Sequence, residues 1–239
     1  MTKLDLKKTQ ISSAIDLFSK GEINQALDAV QDLLKDYPNE PVLFNIRGAC
    51  YADLGQLDVA VTNYNEAIKI KPDYAKAHFN LGGSLHELGQ LKAAVKSYEK
   101  TLEIEPGYAE AHNNLGNVFK DLEQNELAVK SYKKALEFKP DYVEAQYSLG
   151  IMFQDMGQFD EAVKSYKAAI KLKPSFVEAI NKLGSSLIEL GQLEEAVKSY
   201  KAALKQKPDF VEAINNLGIA FYKLHQLNDA LKYYKRALT

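Results

Sequence analysis

This sequence is poor in the features that usually announce chemistry. Cys50 is its only cysteine, so no disulfide can form within the chain and a reducing compartment suits it. No run of eighteen apolar residues occurs, which excludes a membrane-crossing helix of ordinary length. The opening MTKLDLKKTQ has no apolar segment of the kind a secretory signal needs, and no Asn-x-Ser/Thr sequon is present. A formal net charge of -2 over 239 residues gives no electrostatic reason to expect nucleic acid, which wants a clearly basic face. There is no glycine-rich phosphate loop, HExxH pair or nucleophile elbow. The expectation is a cytoplasmic, non-enzymatic protein with no cofactor, no resident metal, no nucleic-acid partner and no membrane insertion.

What the chain has instead is itself, over and over. Proline recurs at Pro38, Pro72, Pro106, Pro140, Pro174 and Pro208, a spacing of 34 without drift. Numbering each 34-residue unit so that Ala75 is position 1, small or apolar residues stand at positions 3, 7, 8, 10 and 11, and again at 17, 20, 21, 24, 27 and 28. Both stripes have helical spacing. Gly89, at position 15, suits the left-handed residue that ends a first helix. Pro106, at position 32, ends a second, because its ring cannot continue a helix and disfavours helical backbone before it. Each unit therefore reads as helix A, tight turn, helix B and a short connector, with the two helices antiparallel. A fixed period of this size predicts a stacked array.

Two columns predict how the helices meet. Position 8 is Ala14 and then glycine in all six later units, Gly48 to Gly218. Position 20 is alanine in every unit, from Ala26 to Ala230. A glycine inside a helix costs roughly 1 kcal/mol relative to alanine, so a close approach of helix A to helix B is expected to compensate, with the glycine set against the alanine.

Leu-Gly at positions 7 and 8, an aromatic at 11, Gly at 15, Ala at 20, Tyr at 24, Ala at 27 and Pro at 32 together resemble the tetratricopeptide repeat. The resemblance covers nearly the whole chain and implies an all-α, right-handed superhelical α-solenoid of seven helix-turn-helix repeats. The expected division is a tail over 1–6 followed by repeats 7–40, 41–74, 75–108, 109–142, 143–176, 177–210 and 211–239. The first is degenerate, with Ser13, Val30 and Leu33 in place of the usual residues; the second carries Arg47 where leucine is expected; the fourth has Glu123 in place of the turn glycine, which predicts strain or a different turn. Family arrays close with an extra polar-faced helix, and none follows here. The expectation is either a longer protein or an apolar end that packs elsewhere, including end-to-end self-association.

In such an array helix A lines the concave side. Positions 2, 5, 6, 9, 12 and 13 form its face opposite the packing stripe. There the sequence places Asn45, Asn80, Asn113, Asn114, Asn117, Asn181, Asn215 and Asn216, with Phe79 and Tyr147 at position 5 of two repeats. Asparagine is a poor residue for a helix interior. A carboxamide both donates and accepts, so a row of them can hold an extended peptide backbone regardless of its side chains. The row is similar to the asparagine ladder of O-linked N-acetylglucosamine transferases, although Ser148 and Lys182 interrupt it at position 6. These ten residues are the candidate peptide-binding set. The alternative reading of the same residues is a polar face on which asparagine is merely tolerated.

The same face carries acid: Glu110, Glu144, Glu178 and Glu212 at position 2, and Asp53, Glu87, Asp121, Asp155 and Glu189 at position 13. Lysines gather on helix B, at Lys96, Lys130, Lys164 and Lys198. A negative groove favours neutral to basic partners. The chaperone-binding carboxylate clamp of the family needs lysine at position 5, which never occurs here. His78 and His112, both at position 4, read as packing residues, and Cys50 as a small buried apolar one. The expected function is a protein-protein interaction scaffold that holds an extended segment in its groove; the alternative is the substrate-recognition arm of a larger, glycosyltransferase-like enzyme.

Overall fold

The computed structural model describes residues 3–238. Fourteen α-helices and no strand occur among them, an all-α helical repeat. The chain divides into two compact units, Met1–Glu123 and Gln124–Thr239. The first contains α1 (Lys3–Ser19), α2 (Ile23–Asp36), α3 (Pro41–Asp53), α4 (Leu57–Ile70), α5 (Ala75–Glu87), α6 (Leu91–Ile104) and α7 (Ala109–Asp121). The second contains α8 (Asn125–Phe138), α9 (Val143–Asp155), α10 (Phe159–Leu172), α11 (Val177–Glu189), α12 (Leu193–Gln206), α13 (Val211–Lys223) and α14 (Leu227–Ala237). Odd-numbered helices are the A helices and even-numbered ones the B helices.

One boundary corrects the sequence reading. α1 begins at Lys3, so residues 3–6 are the first turn of a helix rather than a tail; LDLKK contains good helix formers and nothing that stops a helix. Met1 and Thr2 lie outside the described residues, as does Thr239.

Helix A ends where position 15 turns the chain. Gly55 has φ +72°, its N–H donates to the carbonyl of Ala52 at 2.9 Å, and the N–H of Gln56 donates to that of Tyr51 at 2.8 Å. This is the Schellman closure, in which a left-handed residue satisfies the last free carbonyls. Glu123 and His225 occupy the same position with φ 58° and 59°. Glu123 thus adopts the glycine conformation at a steric cost, and His225 does so as well, a departure that the sequence reading passed over.

The glycine at position 8 meets a different partner from the one expected. A Cβ built on Gly82 would lie 2.9 Å from Cε1 of Tyr98; on Gly48, 2.6 Å from Tyr64; on Gly184, 2.6 Å from Tyr200. The nearest atoms are those of the flat ring of the position 24 tyrosine of the same repeat, ahead of the position 20 alanine. A ring lying across a helix needs a backbone with no side chain beneath it. Tyr64, Tyr98, Tyr166 and Tyr200 are almost wholly buried there, and the position 20 alanines are buried beside them.

Within each unit every A helix touches the next A helix: α1 to α3, α3 to α5 and α5 to α7, then α9 to α11 and α11 to α13. Consecutive B helices of a unit make no such approach among the described residues. The A helices therefore form the tighter, inner layer of each unit.

Candidate functional site

The inner layer presents positions 2, 5, 6, 9, 12 and 13, and burial divides the expected binding residues into two groups. At position 5, Asn45, Asn113 and Asn181 are buried, with 5%, 5% and 1% of their surface exposed. At position 6, Asn80, Asn114 and Asn216 are half-buried, as is Asn117 at position 9. Asn215 is exposed. The two positions are joined across repeats. Asn80 Nδ2 donates to Asn45 Oδ1 at 2.9 Å, and Asn216 Nδ2 donates to Asn181 Oδ1 at 3.2 Å. In both pairs the partners are 35 residues apart, one more than the repeat, so position 5 of one helix meets position 6 of the next. Asn114 accepts from Asn113 Nδ2 at 3.3 Å and bonds the buried hydroxyl of Tyr98.

Phe79 and Tyr147 replace asparagine at position 5 and build aromatic trios instead. Phe79 stacks on Tyr108 at 4.8 Å between centroids and meets Tyr98 edge-on at 5.8 Å. Tyr147 lies 4.7 Å from Phe176 and 5.9 Å from Tyr166. Aromatic pairs prefer these offset and tilted arrangements. Lys182, which interrupts the asparagine row, reaches Glu212 at 3.5 Å.

Acid rims one edge of this layer. Asp53, Glu87 and Asp121 in the first unit, and Asp155 and Glu189 in the second, are all exposed at the C-terminal end of their helices. His86 Nε2 lies 2.6 Å from Asp121 Oδ2, linking α5 to α7. On helix B, Lys96, Lys130, Lys164 and Lys198 are exposed.

Other residues singled out in the sequence have structural work. His78 and His112 each donate from Nε2 to a connector carbonyl, Pro72 and Pro106, at 2.9 Å. Arg47 donates from Nε to Asn63 Oδ1 and sits over the Phe44 ring at 5.0 Å, which accounts for a cation at a leucine position. Cys50 is fully buried, and desolvation is the main reason its thiol is pushed up to about 11.

The sequence reading did not foresee a cavity of about 480 Å³ in the first unit. It is lined from α1 by Ile15 and Phe18, from α3 by Asn45, Ile46, Ala49 and Ala52, and from α5 by Phe79 and Asn80. The signal available was size: Ala52 is the only alanine at position 12, where the other repeats carry Phe18, His86, Lys120, Gln154, Ile188 and Tyr222.

These features of repeat packing agree with comparison to known families. A TPR repeat model matches residues 48–87, 84–122, 116–157 and 184–225, and a tetratricopeptide repeat model matches 143–176. The chain belongs to the tetratricopeptide repeat family. Among curated TPR proteins, the peroxisomal targeting signal receptor of Candida glabrata is 28% identical over 75 residues, which is 31% of this chain and 13% of that protein. The chain thus matches only a small part of that relative's length. Among solved TPR structures, MamA is 27% identical with a TM-score of 0.65, covering 67% of this chain and 94% of that one. The C-terminal part of a TPR protein from Cytophaga hutchinsonii has a TM-score of 0.78 over 95% of this chain and 94% of its own, at 17% identity, and shares the fold. No helix among the described residues of this TPR array is long and apolar enough to cross a membrane.

Proposed function

We propose that the chain is a protein-protein interaction scaffold that holds an extended segment of a partner protein along the inner layer of A helices. The observation that carries this reading is the pairing of Asn80 with Asn45 and of Asn216 with Asn181. Each pair fixes the orientation of a half-buried carboxamide by one hydrogen bond to a buried one. By valence this leaves the outer amide a second N–H and its own oxygen, the complement of one peptide group. Holding the amide in place before binding lowers the entropy lost when a ligand arrives. A partner read through its backbone need not have a fixed sequence.

The charge of the face supports a neutral or basic segment. Glu144, Glu178, Glu212, Asp155 and Glu189 are exposed on the second unit's inner layer, against two cations, Lys182, which is tied to Glu212, and Lys223 at the end of α13. A related stretch in a peroxisomal targeting signal receptor is consistent with protein recognition.

The test is selection from a displayed library of random twelve-residue peptides, followed by affinity measurement against the wild type and the Asn80→Ala/Asn216→Ala variant. The expected result is binders that are neutral or basic and that lose affinity in the variant. Equal affinity for both proteins would remove the asparagines from the reading.

A further inference from the structure

The inner layer of the first unit is not uniform. Where the asparagine row would continue, Ile46 stands at position 6 of α3 and Phe79 at position 5 of α5. Both line the 480 Å³ cavity together with Ile15 and Phe18 of α1. Its depth comes from Ala49 and Ala52, two half-buried alanines one helical turn apart on α3. The volume falls within the roughly 300–1,000 Å³ of sites that enclose small ligands. The Asn45–Asn80 pair lies in the wall, so an amide that could hold a peptide group borders a hollow that could hold its side chain.

The charged groups are placed asymmetrically. Lys76 lies at the start of α5 and Asp53 at the end of α3. Positions 2 and 13 are separated by about 16 Å along a helix, so the two sit at opposite ends of the opening. At the Asp53 end, Glu87 of α5 adds a second exposed carboxylate. Both carboxylates act on the Tyr64 hydroxyl at the cavity wall: burial is the main reason its titration is raised, a hydrogen bond with Ser84 opposes this, and the charges of Asp53 and Glu87 add smaller upward contributions.

We propose that this cavity takes a bulky apolar side chain, aromatic or branched, from a bound protein segment, and that Asp53 and Glu87 hold a basic residue next to it. The inference rests on the groove-binding reading above and narrows it: the first unit selects a side chain, whereas the paired asparagines hold backbone. An apolar anchor seated in a pocket with a polar rim is a common anatomy of protein interfaces.

The test uses three blocked peptides whose symmetry makes chain direction immaterial: Gly-Lys-Phe-Lys-Gly, Gly-Lys-Ala-Lys-Gly and Gly-Glu-Phe-Glu-Gly. Binding to the full chain is followed by amide chemical shifts. The Phe/Lys peptide is expected to shift signals of Ile46, Ala49, Ala52 and Phe79, and the other two to bind roughly tenfold or more weakly, the scale on which a filled apolar pocket discriminates. Ala52→Phe fills the hollow from its own wall, and circular dichroism checks that the chain remains folded; it should abolish these shifts. Asp53→Asn with Glu87→Gln should remove the preference for lysine over glutamate and the salt dependence. Equal affinity of the Phe and Ala peptides, or an unchanged affinity in Ala52→Phe, overturns the pocket while leaving the groove reading intact. No binding by any of the three overturns both.

Discussion

The Asn80 carboxamide donates to that of Asn45 at 2.9 Å, so a buried acceptor on α3 is satisfied only by a half-buried donor on α5. Asn80→Ala orphans Asn45 Oδ1, and leaving a buried polar atom unsatisfied costs about 1–3 kcal/mol. Asn216→Ala should behave alike through Asn181, which is 1% exposed. Asn215→Ala, on an exposed site, should change stability by no more than about 0.5 kcal/mol. Urea denaturation of the three variants measures this; equal midpoints for Asn215→Ala and Asn216→Ala would contradict the pairing.

Two adjacent glycines on α5 should respond to alanine with opposite signs. Gly83→Ala meets only the Tyr98 hydroxyl at 3.6 Å, so it should gain up to about 1 kcal/mol of helix propensity. Gly82→Ala places a Cβ 2.9 Å from the Tyr98 ring, and Phe79 packs on that ring at 5.8 Å, which limits its retreat. Overpacking of about 1–3 kcal/mol should outweigh the propensity gain. Thermal melts of both variants decide the matter, and a Gly82→Ala protein more stable than wild type would show that the ring can move.

The two non-glycine turns offer a repair. Glu123 and His225 hold φ near 60°, a conformation that costs an L-residue roughly 1–2 kcal/mol. Replacing either with glycine should raise the denaturation midpoint. Gly55→Ala, at φ +72° with nothing within 4 Å of its Cβ, should lower it for backbone reasons alone.

Alkaline pH should unfold the array through its buried phenols. Burial pushes Tyr98 and Tyr200 up to about 12, and raises Tyr64 and Tyr166 as well. Unfolded tyrosine titrates near 10. Between about pH 10 and 12 the folded chain therefore holds more protons than the unfolded one, and stability falls as pH rises. It is fully present below pH 10. Phenolate absorbance from these residues should appear together with loss of helical circular dichroism; ionisation near pH 10 in a chain that stays helical would refute the burial argument.

Much of the scaffold was legible in the sequence because each piece of it depends on a single residue type at a fixed position. Gly55 or Pro72 acts through its own backbone, so the helix ends could be read directly. The partner of Gly82 could not, since alanine and tyrosine columns both lie on the facing stripe and only geometry says which ring covers which helix. The Asn45–Asn80 pair was hidden for a related reason: its offset of 35 rather than 34 residues comes from the stagger between neighbouring A helices, which the repeat length does not reveal. The cavity was hidden because it is made by what Ala49 and Ala52 omit. The tail was misread because the repeat's position 1 falls at Lys7, whereas the helix formers of KLDLKK carry α1 four residues further towards the N-terminus.

In the function proposed above, paired asparagines on the A helices hold the backbone of a partner segment. The most direct measurement is a double-mutant cycle between the protein and a selected peptide, replacing single backbone amides of the peptide by esters and Asn80 or Asn216 by alanine. If the asparagine holds a peptide group, the ester facing it weakens binding to the wild type and has little further effect on the alanine variant. If ester and alanine losses simply add at every peptide position, the asparagines do not touch the backbone and the proposed function fails.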